Sequence, residues 1–213
     1  FKTPTNVGEL SETKRNKCLM HEALRKAGID YIRSKKVKTL KEAVDFLKSV
    51  PSKKIVMKNL ADGGSYGVFL CSNEKQIEDY FKKYFGKKTL FCGVSNELLC
   101  QEYIEGDEYA VNHISCEGKH VLYEAYLYTR FKVETEQKSK TFSYVNVLFT
   151  DELPEKVKKY MDKVLDAVGV KYGASHAEVK IREDGSPVLV EVGARLMGAM
   201  PPNKIYKRML PYN

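Results

Sequence analysis

The feature that most constrains the fold of this chain is a hairpin pattern in residues 176–192. Asp184-Gly185 is a preferred pair for the two central positions of a tight β-hairpin loop. A two-residue loop at this point places Glu178 directly opposite Glu191 on neighbouring antiparallel strands. The segment is therefore predicted to form two paired strands that carry facing carboxylates.

The predicted register gives the hairpin one apolar face and one polar face, because side chains alternate along a strand. The buried face is expected to hold Val179, Ile181, Val188 and Val190. The opposite face is expected to hold Glu178, Lys180, Arg182 and Glu191, with Leu189 among them. In this alternation Glu178 and Glu191 form a pair that exchanges no backbone hydrogen bonds, with Cβ atoms about 4.5–5.5 Å apart.

Two like charges that face each other across a sheet repel, so this pair has two interpretations. A hard divalent cation between the carboxylates removes the repulsion, and Mg²⁺ prefers carboxylate and phosphate oxygens as ligands. The alternative is a pair of solvated glutamates on an exposed face. The spacing alone leaves both interpretations open.

A glycine-rich turn in residues 61–67 joins two short predicted strands. Its backbone N–H groups could cradle phosphate oxygens, and Lys58 on the preceding strand could reach them as a point charge. No Gly-Lys-Ser/Thr sequence follows, so the turn is not a P-loop. An ordinary hairpin turn is the alternative.

Helical periodicity and capping signals predict four helices. They cover residues 9–27, the segment from Thr39 to Pro51, residues 74–85 and the segment from Pro154 to Gly169. Strands are predicted over residues 54–58, 68–71, 98–104, 108–115 and 120–128, whereas residues 130–141 are polar and are predicted to be mobile. These elements indicate an α+β architecture, with a composition shift near Gly106 as a boundary between two lobes.

The cysteine count and the charge distribution exclude several classes of protein. The five cysteines form no Cys-x-x-Cys pair, which argues against a disulfide framework or a zinc knuckle and favours a reducing, cytoplasmic setting. The net charge is +8, but the lysines are dispersed, so nucleic acid is not an expected partner. No apolar run approaches the roughly 20 residues that span a bilayer, so a membrane is not expected either.

Taken in order, these segments resemble the ATP-grasp superfamily over nearly the whole chain. The matching motifs are Arg15-Asn16-Lys17, Val56-Met57-Lys58, the glycine turn, Gln101–Tyr109, His176-Ala177-Glu178 and Leu189–Gly198. The opening and closing segments look most like the amino-acid ligase (dipeptide synthetase) branch. That branch also carries the Glu-Val-Gly-Ala-Arg sequence found here at residues 191–195.

The resemblance implies a specific α+β architecture, the ATP-grasp fold, in which two α+β lobes with antiparallel sheets clasp ATP between them. It also implies three segments. Residues 1–35 would be a connecting segment and helix from a missing N-terminal domain. Residues 36–103 would form the small lobe with the glycine loop. Residues 104–213 would form the large lobe with the metal-binding hairpin.

The resemblance further assigns roles to individual residues. Phosphate and nucleotide contacts are expected from Lys17, Val56, Lys58, Gly63, Gly64, Ser65 and Leu189. Glu102 and the backbone of Tyr103 and Ile104 would meet the base, and Glu108 the ribose. Mg²⁺ would be bound by Glu178 and Glu191, and the catalytic cations would be Arg195 and Lys58. Many family members place an asparagine metal ligand where this chain has Gly193.

The activity implied is an ATP- and Mg²⁺-dependent ligase that joins a carboxylate to an amine through an acyl phosphate, with amino acids as the nearest substrate class. Two alternatives stay open. One is another ATP-grasp ligase, such as a carboxylase-type or purine-pathway enzyme, and the other is an ATP-binding module without catalysis. The expected partners are ATP and the two small substrates, and a homodimer is one possible assembly.

Overall fold

A computed structural model describes residues 5–60, 67–88, 93–134, 139–148 and 153–198, with the side chains of residues 130–134 and 139–148 not described. The chain divides into two compact units. One is Gly8–Glu105, and the other is Gly106–Asn213 together with Phe1–Val7. The described part holds no helix with the length and apolar character that a membrane crossing requires.

The described part of the Gly8–Glu105 unit combines helices with one antiparallel sheet. Its elements are a 3-10 helix Gly8–Lys14, α1 Lys17–Lys26, β1 Ser34–Val37, α2 Leu40–Ser49, β2 Ile55–Asn59, β3 Phe69–Cys71, α3 Glu74–Tyr84 and β4 Leu98–Glu102. The strand order is β1-β4-β2-β3, and every neighbouring pair is antiparallel.

Side-chain caps decide where these helices begin. The Thr39 side chain accepts from the Glu42 N–H while the Glu42 side chain accepts from the Thr39 N–H, so a capping box begins the helix predicted from Thr39. The continuous helix predicted over residues 9–27 is wrong. Asn16 has an extended backbone, and its side chain accepts from the Cys18 and Leu19 N–H groups. A new helix therefore begins after Asn16, and a 3-10 helix precedes it.

Strand β2 separates an apolar core from a polar face. Ile55 and Met57 are fully buried in the core that β2 forms with α2, α3 and β4. Because side chains alternate along a strand, Val56 and Lys58 lie on the other face. Gln101 of β4 is opposite Val56 and contacts His21 of α1 at 2.7 Å, so α1 packs over that second face.

The second unit is built on a larger antiparallel sheet. Its elements are β5 Asp107–Cys116, β6 Lys119–Glu134, β7 Ser139–Leu148, α4 Glu155–Ala167, β8 Gly173–Ile181 and β9 Pro187–Gly193. The strand order is β7-β6-β5-β8-β9. The helix predicted from Pro154 to Gly169 is present as α4, and its apolar stripe with the following Val168 is fully buried: Val157, Met161, Val164, Leu165 and Val168.

Strands β6 and β7 contradict one prediction. Residues 130–141 are predicted to be a mobile polar segment, but residues 130–134 belong to β6 and residues 139–141 to β7, whereas residues 135–138 lie outside the described residues. The polar composition of this stretch obscured the strands, because strand pairing satisfies backbone groups whatever the side chains are. Helices and antiparallel sheets in both units confirm the predicted α+β class.

Candidate functional site

The β8–β9 hairpin carries the facing carboxylates. Glu178 is directly opposite Glu191, as predicted. The loop that joins the strands is longer than the predicted two residues. The Arg182 N–H donates to the Ser186 carbonyl at 3.0 Å, and the Gly185 N–H donates to the Arg182 carbonyl at 2.7 Å. Gly185 has φ 72, the left-handed position that closes a three-residue loop.

A bulge beside Glu178 compensates for the longer loop. Near the turn Val179 is opposite Leu189, and the register then shifts so that Val190 is the extra residue of β9. The predicted loop is one residue too short and the bulge was not predicted. These two errors offset each other, so the predicted pairing of Glu178 with Glu191 is correct. Glu178 and Glu191 were also predicted to exchange no backbone hydrogen bonds. That prediction assumed regular strand pairing, which the bulge interrupts.

The bulge changes the position of Leu189, which was predicted to share the face of Glu178. Leu189 is instead on the face of Val179, fully buried, and its N–H donates to the Tyr160 hydroxyl of α4 at 2.8 Å. Val190, half-buried beside Glu191, is the bulge residue at the site. Nothing in the regular alternation of β9 signals this irregularity.

Register places a set of polar residues on the same face of the five-stranded sheet as the carboxylate pair. Glu178 is opposite Ala110, which is opposite Tyr126. The next row along the strands consists of Gly193, His176, Asn112 and Glu124. Residues opposite each other or two apart on one strand share a face, so these rows form one polar surface with Glu178 and Glu191.

Part of this polar face is a buried hydrogen-bonded chain. His176 Nδ1 is 2.7 Å from Asn112 Oδ1, and Asn112 Nδ2 donates to Glu124 Oε2 at 2.9 Å. Burial lowers the pKa of His176 to about 4, with Arg195 lowering it further and Glu191 opposing the shift. Burial and the neighbouring Glu124 carboxylate raise the pKa of Tyr126. Asn112 and Glu124 carried no motif and were not predicted.

Arg195 follows β9 and is exposed. Its Nη1 donates to the Leu196 carbonyl at 2.8 Å. A Cβ atom added to Gly193 would be 3.5 Å from Arg195 Cγ, which is ordinary van der Waals contact. That contact places the Arg195 side chain beside Gly193, which is opposite His176.

Glu108, the predicted ribose contact, belongs to the same sheet face. It is buried on β5, opposite Lys180 of β8 and Tyr128 of β6. The Lys180 ammonium donates to the Gly106 carbonyl at 3.2 Å. A buried carboxylate beside a lysine is an acceptor that can be held in a fixed orientation.

The phosphate lysines predicted for the first unit are buried. Lys17 is 7% exposed and Lys58 is 5% exposed. The Lys17 N–H donates to the Leu60 carbonyl at 3.2 Å, which ties the start of α1 to the chain just after β2. Gly63, Gly64 and Ser65 lie outside the described residues, so their phosphate role stays a prediction.

The predicted base-binding segment follows β4. The Glu102 N–H donates to the Arg33 carbonyl at 2.9 Å, and the Tyr103 N–H donates to the Lys54 carbonyl at 3.1 Å. The backbone N–H of Tyr103 is therefore engaged, and the carbonyl is the backbone group that it can offer to a base. Ile104 is half-buried beside it.

The donor set of the hairpin fits a magnesium ion. Two carboxylates on opposed strands provide hard oxygen ligands that a divalent cation can bridge. In the part of the chain that the structure describes, no group of three or more His, Cys, Asp or Glu side chains is arranged for a metal. Further ligands would come from phosphate oxygens and water, as Mg²⁺ commonly requires.

Two curated proteins are similar to this chain in sequence. Dapdiamide A synthase of Enterobacter agglomerans is 31% identical over 204 residues, a match that covers 94% of this chain and 46% of that protein. Alanine–anticapsin ligase of Bacillus subtilis (strain 168) is 26% identical, over 89% of this chain and 43% of that protein. The chain therefore spans less than half the length of these two curated relatives.

Solved structures share the fold. L-amino acid ligase from Bacillus licheniformis has a TM-score of 0.67 at 20% identity, covering 92% of this chain and 44% of that chain. Phosphoribosylamine–glycine ligase from Thermotoga maritima has a TM-score of 0.69 at 19% identity, covering 90% of this chain and 50% of that chain. At these identities the likeness establishes the fold alone.

A family model described as the ATP-grasp domain matches residues 51–202. The matched range includes Lys58, the segment after β4 and both strands of the carboxylate hairpin. The ATP-grasp fold predicted from the motifs is thus confirmed by solved structures and by the family match. This chain is a member of the ATP-grasp family.

Proposed function

We propose that this chain is the nucleotide-binding part of an ATP- and Mg²⁺-dependent ligase that joins a carboxylate to an amine through an acyl phosphate. The observation that carries the proposal is the pair of facing carboxylates, Glu178 and Glu191, on the polar face of the second unit's sheet. In an ATP-grasp domain, this pair is a donor set suited to a magnesium ion bound to phosphate oxygens.

In this proposal the substrate carboxylate attacks the γ-phosphorus of ATP, which forms an acyl phosphate and releases ADP. The amine then attacks the acyl carbon, loses a proton and displaces phosphate. Bound magnesium supplies Lewis-acid polarisation of phosphate oxygens. Glu178 and Glu191 hold that ion, and Lys17 and Lys58 add positive charge for the phosphates. Such positioned charges stabilise the phosphoryl-transfer transition state. Arg195 offers a planar fork that suits an acyl-phosphate or carboxylate oxygen.

Amino acids are the proposed substrates because the sequence relatives favour that branch. One relative is named alanine–anticapsin ligase, and its identity extends over most of this chain. Fold likeness does not choose the substrate, because phosphoribosylamine–glycine ligase has a TM-score of 0.69, similar to the 0.67 of L-amino acid ligase. Another ATP-grasp ligase activity is therefore the second candidate.

A third candidate is an ATP-binding module without turnover. Gly193 favours it, because this position brings no side-chain ligand to the row beside Glu191. The buried Lys17 and Lys58 and the exposed Arg195 support catalysis instead, because positioned cations stabilise a phosphoryl-transfer transition state.

The first test is calorimetric titration with a non-hydrolysable ATP analogue, with and without Mg²⁺. Glu191→Gln removes one charge from the pair, whereas Glu183→Gln makes the same change on the exposed loop of the same hairpin. We expect Mg²⁺-dependent binding in the wild type and in Glu183→Gln. Binding should weaken at least about tenfold, or about 1.4 kcal/mol, in Glu191→Gln.

If the wild type and both variants bind the ATP analogue equally well, the carboxylate pair does not bind the metal. Binding that does not depend on Mg²⁺ would also contradict this role. A screen of amino-acid pairs for ADP release by the full-length protein then separates the remaining candidates. ADP release with one pair supports the ligase. Magnesium-dependent binding without ADP release from any pair supports the module.

A further inference from the structure

The sheet face that carries the carboxylate pair ends in three apolar residues, here called the apolar row. Ile114 of β5 is opposite Val121 of β6 on one side and Ala174 of β8 on the other. On β8, Ala174 comes two residues before His176 and four before Glu178. Because side chains alternate along a strand, the apolar row shares the face of these two residues.

The two large side chains of the apolar row are exposed. Ile114 is 43% exposed and Val121 is 63% exposed, whereas Asn112 and Glu124 of the adjoining row are each 3% exposed. Among the described residues of the second unit, the one other exposed large apolar residue is Leu196. Single exposed apolar residues are ordinary, but a facing pair on the face of a proposed binding site is apolar surface that a ligand can cover.

The order of the rows gives the direction in which the substrate lies. In the proposed function Glu108 contacts the ribose, and Glu178 with Glu191 holds Mg²⁺ at the phosphates. Ala110, two residues after Glu108 on β5, is opposite Glu178, and Ile114 is four residues further along that strand. Because ATP runs from the ribose to the γ-phosphate, the attacking carboxylate lies beyond the ion, on the side of the apolar row.

The spacing of the rows matches the dimensions of the reacting groups. Residues rise about 3.4 Å each along an antiparallel strand, so neighbouring rows on one face are about 7 Å apart. Mg²⁺ binds oxygen at about 2.0–2.1 Å, and reacting atoms approach to about 3–3.5 Å. A carboxylate that attacks a magnesium-bound γ-phosphate is therefore about one row from the ion, at His176 and Gly193. A side chain that continues from it along the sheet contacts the apolar row.

The charge at this end of the sheet suits the same ligand. The Arg195 side chain lies beside Gly193, where an added Cβ would be 3.5 Å from its Cγ and 3.6 Å from its Nε. A guanidinium presents a planar fork that matches a carboxylate. This end of the face therefore offers a cation and then an uncharged apolar surface, which complements a carboxylate that carries an apolar side chain.

We propose that the apolar row binds the side chain of the substrate that supplies the carboxylate, and that this acyl donor is an amino acid with an apolar side chain. The inference rests on the proposed ligase function and adds the chemical class of its acyl donor. Ile114 and Val121 determine the specificity, because Ala174 offers a single methyl group. A polar side chain in their place on the ligand would lose hydration without gaining a partner.

Calorimetric titration of amino acids into the full-length protein, saturated with the non-hydrolysable ATP analogue and Mg²⁺, measures this preference. Leucine should bind at least about fivefold more tightly than alanine, because its longer side chain buries more apolar surface. Asparagine, which is similar in size to leucine but polar, should bind no more tightly than alanine. Equal binding of leucine and asparagine by the wild type would overturn the inference.

Substitutions in the apolar row test which residues are responsible. Ile114→Thr and Val121→Thr each add a hydroxyl while keeping a β-branched side chain that suits a strand. Each should reduce the preference for leucine over alanine to about twofold or less. Val94→Thr is the matched control at a valine of the first unit that is 58% exposed, and it should keep the full preference. An unchanged preference in both row variants would contradict the assignment.

Other occupants of the apolar row predict different results. Leucinamide has no free carboxylate and can serve only as the amine, so tight leucinamide binding that the row variants abolish would assign the row to the amine. A melting temperature lowered by several degrees in Ile114→Thr, with the leucine preference unchanged, would show that another part of the full-length protein covers the row. A dimer that dissociates in Val121→Thr would assign the row to a second copy. Each of these results overturns the inference.

Failure of the inference and failure of the proposed function are distinguishable. If the analogue binds with Mg²⁺ and amino acids bind beside it without a preference for leucine, only the inference fails. If the analogue does not bind, or if no amino acid binds beside it, the proposed amino-acid ligase fails and the acyl-donor role of the apolar row fails with it.

Discussion

Gly193 of β9 lies directly opposite His176 of β8, so one end of the polar row has no side chain. The backbone does not require glycine there, because Gly193 has no left-handed φ and an added Cβ would make only ordinary contacts with Arg195. The position is therefore a gap in the proposed ligand set and not a conformational necessity.

Filling that gap gives the first prediction. Gly193→Asn should be tolerated, and its amide oxygen should add a ligand for Mg²⁺. Calorimetry with the ATP analogue and Mg²⁺ should show several-fold tighter binding, about 1 kcal/mol. Gly193→Ala adds the Cβ without the oxygen and should bind like the wild type. Equal affinity of the Asn and Ala variants would show that the position does not contact the ion.

The facing carboxylates Glu178 and Glu191 predict that the effect of a substitution on stability changes sign when Mg²⁺ and the ATP analogue are added. Removing one of two opposed like charges should stabilise the metal-free protein by about 0.2–1 kcal/mol. Glu178→Gln should therefore melt higher than the wild type in EDTA. With Mg²⁺ and saturating ATP analogue the order should reverse, because the wild type gains about 2.7 kcal/mol at a hundredfold excess over Kd. Differential scanning fluorimetry measures both orders, and the same order in both buffers would contradict the pair as a metal site.

Gly106 begins the second unit in a conformation that other residues cannot adopt. Its φ is +128, and an added Cβ would be 2.1 Å from the Ile181 carbonyl oxygen. Gly106→Ala should destabilise the protein by at least about 2 kcal/mol through strain and displacement of β8. Gly118→Ala is the control, since that glycine has φ +77 and no atom within 4 Å of an added Cβ. Its cost in urea unfolding should be about 1 kcal/mol.

His113 predicts how stability changes in acid. Burial lowers the pKa of His113 to about 4, below its usual 6.5, and nearby His120 adds to the shift. Between these values the unfolded chain binds a proton that the folded chain does not, so stability falls as pH falls from about 6.5 to about 4.

Replacing His113 should make the free energy of unfolding depend less on pH. His113→Leu should lose less stability than the wild type between pH 7 and pH 4, by up to about 3 kcal/mol, the equivalent of its pKa shift. Urea unfolding at several pH values measures the slope. His176 contributes in the same direction, so some slope should remain in the variant. An unchanged slope would show that His113 does not titrate with unfolding.

Local signals predicted much of the fold. The capping box at Thr39 and the apolar stripe of α4 are set by residues three or four apart, and both are present. The facing pair Glu178–Glu191 was also predicted, but only because the longer loop and the bulge shift the register in opposite directions. The local signals did not predict where one helix begins or how long the hairpin loop is. Asn16 interrupts a helix that periodicity alone continues, and the three-residue loop replaces the two-residue one.

The sequence by itself determined the α+β class and the positions of α2, α3 and α4, because these depend on periodicity and capping. Only the tertiary structure decided the bulge at Val190, the removal of Leu189 from the polar face and the row of His176, Asn112 and Glu124. The physical reason is that those relations join residues of separate strands. Their alignment depends on which strands pair and in which register, and no local pattern encodes it.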